Sequence, residues 1–272
     1  MRIATARDND ETMIPIDRFF THLDSFRHGG LFSGEGAVWA PLATLEASIK
    51  NLLAEAKMDG SLPEGLRFIG GESAGRRGLF VEQWIELDAP LSARGILIGA
   101  GTVLEPTAII KSPAVIGEGC EVRQGAYFRG NVIVGDRCVI GHATEIKNSI
   151  VMDHTEAGHF NYIGDSILGS HVNLGAGSRL ANLQFRTPDE MRSGNLLPIV
   201  LNIDGERVTT GLTKFGAVVG DYVEVGCNSV LCPGTLVGQK SWIYPNMTVP
   251  KSYYPPHTFF SPRKGNGKPR GS

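Results

Sequence analysis

The fold class predicted by the sequence is mainly β: a parallel β-helix of hexapeptide repeats, with a small N-terminal helical region and a hairpin insert. Three observations predict it. Large apolar residues recur every six positions, at Ile98, Leu104, Ile110, Ile116, Val122, Phe128, Val134, Ile140, Ile146 and Met152. The step returns at Leu168, Leu174 and Leu180, and again at Val219, Val225, Leu231, Val237, Ile243 and Val249. The residue four after each rung is mostly small, as at Thr102, Ala108, Ala114, Cys120, Ala126, Cys138 and Thr144. The residue one after is often glycine, as at Gly99, Gly117, Gly135, Gly141, Gly169 and Gly175. A period of six fits neither a helix face nor a simple strand. It fits a triangular prism: one large residue points inward, a small one fills the gap beside it, and glycine turns the corner. Three hexads close one coil, so residues eighteen apart stack at about 4.8 Å, one strand spacing.

The elements follow in order. Residues 1–90 do not follow the ladder. Residues 15–26 and 41–57 have helical spacing, the second opening with Pro41 near its first turn. Residues 66–78, LRFIGGESAGRRG, are glycine-rich and basic and read as a turn-rich linker, with a phosphate cradle as the alternative. Residues 79–88 alternate like a strand. The β-helix domain is assigned to 91–250. Its phase slips after Met152, which is expected to push out a loop holding His154, His159 and Tyr162. Residues 183–213 interrupt the ladder, and PIVLNI-DG-ERVTTG within them reads as a hairpin turning at Asp204-Gly205. Residues 251–272 form a basic, proline-rich tail expected to be extended or disordered.

Bulk properties narrow the function. A formal net charge of -2 over 272 residues implies no general attraction to nucleic acid. No apolar run approaches the length of a membrane span, and the first ten residues lack a leader's apolar core, so a cytoplasmic protein is expected. The four cysteines make no metal-binding spacing; Cys120 and Cys138, eighteen apart, read as small core fillers.

Two groups of residues carry candidate chemistry. Lys111, Arg129 and Lys147 are each eighteen apart and each directly follow a rung, so they should form one column. Stacked like charges repel, and an anion between them, a phosphate above all, would be stabilising. His159, in AGHFNYIGD, has the chemistry of a general base, and Glu145, one coil earlier, is placed to orient its imidazole. The five-residue spacing of His154 and His159 also suits a zinc site, which would need a third histidine about two coils earlier, where Glu118 stands and no histidine is near.

The run AGHFNYIGDSILGSHVNLGAGSRLAN (157–182) resembles the acetyltransferase half of bifunctional sugar-1-phosphate nucleotidylyltransferases, and a broader resemblance to left-handed β-helix acyltransferases covers residues 98–250. The resemblance implies transfer of an acetyl group from acetyl-CoA to the amine of an amino-sugar-1-phosphate such as glucosamine-1-phosphate, without a metal, in a homotrimer. It implies His159 as base, Tyr162, Asn173, Asn182 and Lys214 as sugar contacts, and Arg129 and Lys147 as phosphate ligands. It implies the Ala176 N–H as the oxyanion donor, and places the acyl-CoA beside Ala176, Cys227 and Pro245. The sequence departs from the family's pattern at Leu183, Cys227, Pro245 and Asn246, and no nucleotidylyltransferase signature precedes residue 90. A catalytically silent β-helix that binds sugar phosphates or partners is therefore the rival reading.

Overall fold

The computed structural model describes residues 14–34, 36–56, 62–71 and 77–262. The chain winds as a left-handed β-helix with three nine-stranded walls. In each coil it passes through a first wall (Ile96–Ile98, Ala114–Ile116 and their successors) and a second (Val103–Leu104, Glu121–Val122, Val139–His142, Glu156–His159, Asn173–Leu174). It then enters a third (Ile109–Lys111, Tyr127–Phe128, Glu145–Lys147, Tyr162–Gly164, Arg179–Leu180) before the next coil begins. The rungs stack in register: Ile110, Phe128, Ile146, Ile163 and Leu180 pair in succession along the third wall. These residues are fully buried inside the prism.

The glycines that follow rungs are required by the close approach of neighbouring coils. A Cβ on Gly141 would lie 1.8 Å from the carbonyl oxygen of Gly158. The left-handed turn itself falls two residues later, on Arg137, Ala143, His154, Phe160 and His171, all at positive φ. In the small-residue column, Thr102, Cys120, Cys138 and Thr155 each donate to a carbonyl of the next coil, at 2.9, 3.1, 3.0 and 2.6 Å. Cys120 and Cys138 are buried and unpaired, as their core-filling role requires.

Met152 is not a rung. The steps Ile146 to Val151 and Ile163 to Leu168 are five residues long, so Val151 and then the small Ala157 point inward, with Met152 buried outside the prism. The one-residue shortening is absorbed at the corner, and the expected outward loop does not form. His154 lies on the edge between the first and second walls, His159 on the edge between the second and third, and Tyr162 on the third wall.

The first wall is buried on both faces. Val115, Ile133, Ile150, Ile167, Val218 and Leu236, each preceding a rung, pair in succession and face outward. Helix α1 (Pro41–Glu55) lays Leu42, Leu45 and Ile49 against this ladder, each side chain contributing about 2 kcal/mol of apolar transfer. Phe19, Phe20 and Trp39 join the same cluster, as do Ile199, Leu201 and Ile203 of the insert. Residues 15–26 form only a 3-10 turn at Ile16–Arg18, because their backbone bonds to the prism instead: Asp221 N donates to Phe19 O and Gln239 N to Arg18 O.

The expected hairpin is present: Val200–Ile203 pairs with Glu206–Thr209 around Asp204 and Gly205, both at positive φ. The insert also holds a short helix α2 (Pro188–Ser193), opened by a Thr187–Glu190 capping box. Of the expected linker 66–78, residues 72–76 lie outside the described set, and the described ends are strand. Leu66–Ile69 pairs antiparallel with Gly78–Val81, which pairs antiparallel with Ile109–Lys111 and closes the start of the prism. The other end runs past Val249, because Tyr253–Tyr254 and Phe259–Phe260 add strands to the first and second walls. The tail expected from residue 251 thus belongs to the β-helix through residue 260, and residues 263–272 lie outside the described set. No helix among the described residues is long and apolar enough to cross a membrane.

Candidate active site

With the first wall covered, the edge between the second and third walls carries the site. Corner hydrogen bonds fix its register: Phe160 N donates to His142 O at 2.8 Å, Gly177 N to His159 O at 2.9 Å, Asn228 N to Ala176 O at 2.8 Å and Asn246 N to Cys227 O at 2.9 Å. His142, His159, Ala176, Cys227 and Pro245 therefore occupy one column along this edge. The imidazole of His159 is exposed and has no hydrogen-bond partner among the described residues. Its backbone is held firmly: His159 N donates to Oδ1 of the buried Asn161 at 3.1 Å, and Asn161 Nδ2 donates to Gly175 O at 2.9 Å. The Ala176 N–H is unpaired as well, one coil beyond His159.

Sequence reasoning missed Asn161 and His142. Asn161 stands where the other coils carry Ala126, Thr144 and Ser178, and that exception was its signal. His142 pairs directly with His159, donates from Nδ1 to Gln124 O at 2.9 Å, and meets Phe160 edge-on at 5.0 Å.

The third wall gathers the predicted cations in one column, each beside a counter-charge or a ring. Lys111 Nζ sits 5.1 Å from the centre of the Tyr127 ring. Arg129 Nη1 donates to Glu145 Oε1 at 2.7 Å, which raises the guanidinium's pKa further. Lys147 Nζ meets Asp165 Oδ2 at 3.1 Å in a largely buried pair. The column is thus not a bare stack of like charges, because carboxylates from the following coils already answer two of the three. Asp165 also accepts from Asn148 Nδ2 at 2.9 Å and from Asn182 Nδ2. Asn182 Oδ1 accepts from the Tyr162 hydroxyl at 3.2 Å. Burial, then Asp165 and Glu145, pushes the Tyr162 phenol above its ordinary pKa, so it stays a donor.

Glu145 does not orient His159. It lies on the third wall between Tyr127 and Tyr162, and its carboxylate is engaged by Arg129. Asn173 does not share the third wall with Tyr162. It lies on the second, where Nδ2 donates to Glu224 Oε2 at 2.9 Å. There it lines a cleft of about 520 Å³ with Cys227, Trp242, Tyr244 and Pro245, immediately beside the His159 column. Lys214 is exposed and is brought next to the site by Phe215 N, which donates to Asn182 O at 3.0 Å. Leu183, at the start of the insert, is exposed.

The zinc reading is corrected by position. His154 and His159 stand on different edges, and the His154 ring stacks on His171 at 4.7 Å while its Nε2 accepts from Arg137 Nε at 3.2 Å. Among the described residues no three histidine, cysteine or acidic side chains converge to hold a metal.

A left-handed prism of hexapeptide coils, with a free histidine on one edge and a cation column on the adjoining wall, has the build of a hexapeptide-repeat acetyltransferase domain. The comparison with family models narrows this: residues 110–259 match the GMPPB C-terminal domain, and the chain belongs to that family. A "Bifunctional protein GlmU" of Methanococcus vannielii is 42% identical over 126 residues, covering 46% of this chain and 28% of the relative. A "Bifunctional sugar-1-phosphate nucleotidylyltransferase/acetyltransferase" of Sulfurisphaera tokodaii is 32% identical over 164 residues, covering 54% of this chain and 39% of the relative. The chain thus spans well under half the length of these curated relatives.

Proposed function

We propose that the protein transfers an acetyl group from acetyl-CoA to the amine of an amino-sugar-1-phosphate such as glucosamine-1-phosphate. The observation that carries this reading is the edge column. An unengaged imidazole at 159 and an unpaired N–H at 176 stand one coil apart, between a cleft on the second wall and a cation column on the third. In the proposed reaction Arg129, Lys147 and Lys111 hold the phosphate, and Tyr162, Asn182 and Lys214 position the sugar. His159 takes a proton from the substrate ammonium, and the freed amine attacks the thioester carbonyl. The Ala176 N–H donates to the oxyanion, a contribution of about 3 kcal/mol in comparable sites. The tetrahedral intermediate collapses to the amide as its C–S bond breaks, and the second nitrogen proton passes to the departing sulfur to give free CoA thiol. The acyl-CoA lies along Cys227 and Pro245, with Asn173 at the rim of the same cleft. Trimeric assembly and a cytoplasmic location belong to the same reading; sedimentation analysis tests the first.

The deciding experiment follows thiol release from acetyl-CoA with glucosamine-1-phosphate. His159→Ala is expected to lower kcat at least 100-fold with KM nearly unchanged. An unchanged rate would remove His159 from the mechanism. One observation favours the rival reading of a silent sugar-phosphate binder: Arg129 engages the carboxylate that would have oriented the base. That reading predicts sugar-phosphate binding by calorimetry without turnover.

A further inference from the structure

A further cavity shares only Arg129 with this scheme. It measures about 740 Å³ and lies between the C-terminal half of α1 and the edge joining the third wall to the first. Its floor is built from three successive corners, at Arg94-Gly95, Ser112-Pro113 and Gly130-Asn131. Gly130 keeps the floor open, since a Cβ there would stand 2.7 Å from the Ser112 carbonyl oxygen and φ is +92. One side is apolar, formed by Leu53, Ala54 and Ala56.

The charges around it are unbalanced. Lys50, Arg77, Arg94 and Arg129 line the cavity against one acid, Glu46. Glu46 is paired with Lys50 at 2.6 Å, and Arg129 with Glu145 outside the cavity. Arg77 and Arg94 have no carboxylate partner among the described residues. Both are placed by the backbone and its neighbours: Ser112 N donates to Arg77 O at 3.1 Å, and the Arg94 guanidinium packs over the Phe68 ring at 4.0 Å.

We propose that this cavity binds a phosphorylated organic molecule of nucleotide size, at a site that borders the cation column at Arg129 and is otherwise built from different residues. Two guanidinium forks from different elements suit a multiply charged phosphoryl group better than a single carboxylate. The volume exceeds what a free phosphate fills, and the Leu53–Ala54–Ala56 side accepts the organic body. The region before residue 90 thereby gains a role, as the element that builds one side of an open cleft along an edge of the prism.

The test is calorimetry on the full chain with UDP and with inorganic pyrophosphate. UDP is expected to bind at least fivefold tighter than pyrophosphate. The double variant Arg77→Gln/Arg94→Gln should weaken UDP at least 20-fold, while Lys147→Gln should leave it within twofold. Both arginines are exposed, and equal thermal midpoints will show that the variant is folded. Hydrogen exchange on the unaltered chain should show UDP protecting residues 50–56. No UDP binding, no advantage over pyrophosphate, equal binding by the double variant, loss through Lys147→Gln, or no protection of 50–56 would each overturn the proposal. The acetyl-transfer assay tests a different reading, because it turns on His159 and Lys147, which do not line this cavity.

Discussion

Arg129 Nη1 and Glu145 Oε1 meet at 2.7 Å across neighbouring coils, and that contact separates two roles the spacing alone leaves mixed. Both side chains are more than one third exposed, so the pair contributes less than about 1 kcal/mol to stability. Glu145→Gln is expected to leave the urea midpoint nearly unchanged and to lower KM for the sugar phosphate severalfold, by releasing the guanidinium. A tenfold loss of kcat at constant KM would instead return Glu145 to the side of His159.

Asp165 and Lys147 form the better-buried pair, 8% and 18% exposed at their side chains. Asp165→Asn leaves an ammonium without its counter-charge and breaks up the Asn148 and Asn182 contacts. A loss of about 3 kcal/mol is expected by urea denaturation. A loss below about 1 kcal/mol would mean that water replaces the carboxylate.

Gly141 lies under the corner that carries His159. Alanine there would place its Cβ against the Gly158 carbonyl and force the two coils apart. Overpacking of this kind costs about 3 kcal/mol or more, because the obstacle is backbone and cannot rotate away. The check is the thermal midpoint together with kcat, and both should fall. A variant as stable as the parent would show that the coils can separate freely.

His171, stacked between His154 and Tyr222 with His22 against it, is expected to make stability depend on pH. Partial burial, then His154 and His22, holds His171 below its ordinary pKa, against the opposite pull of Asp221 and Asp153. Burial and then Arg27 do the same to His28. A histidine with a lowered folded pKa binds fewer protons folded than unfolded. Its contribution is complete above about pH 6.5 and is lost as pH falls through that value. The thermal midpoint should therefore drop between pH 7.5 and pH 5.5, with a shallower slope in His171→Asn. An unaltered slope would remove His171 from the effect.

The prism was legible because a single large inward residue per side must repeat at the spacing of the side. What hid the five-residue sides was Ala157, a rung too small to register as one, so that Met152 took the place of Val151 in the pattern. The outward ladder was also present in the sequence. Adjacent strand residues face opposite sides, so the apolar pairs Val115-Ile116, Ile133-Val134, Ile150-Val151 and Ile167-Leu168 mark a wall covered on both faces. In the candidate site, columns follow from arithmetic, and the stacking of Lys111, Arg129 and Lys147 was readable. Which carboxylate a guanidinium selects depends on side-chain conformation, and the spacing is silent on that.

The antiparallel strands before Ile96 stopper the beginning of the prism, while Thr248–Val249, Tyr253–Tyr254 and Phe259–Phe260 leave the far rim uncapped among the described residues. The solenoid therefore has a growing end and a finished end. Further hexapeptide turns fused after the last strand would continue its parallel register, whereas turns fused ahead of the first would meet the edge strands Leu66–Ile69, Ile85–Glu86 and Leu91–Ala93, whose antiparallel pairing breaks that register.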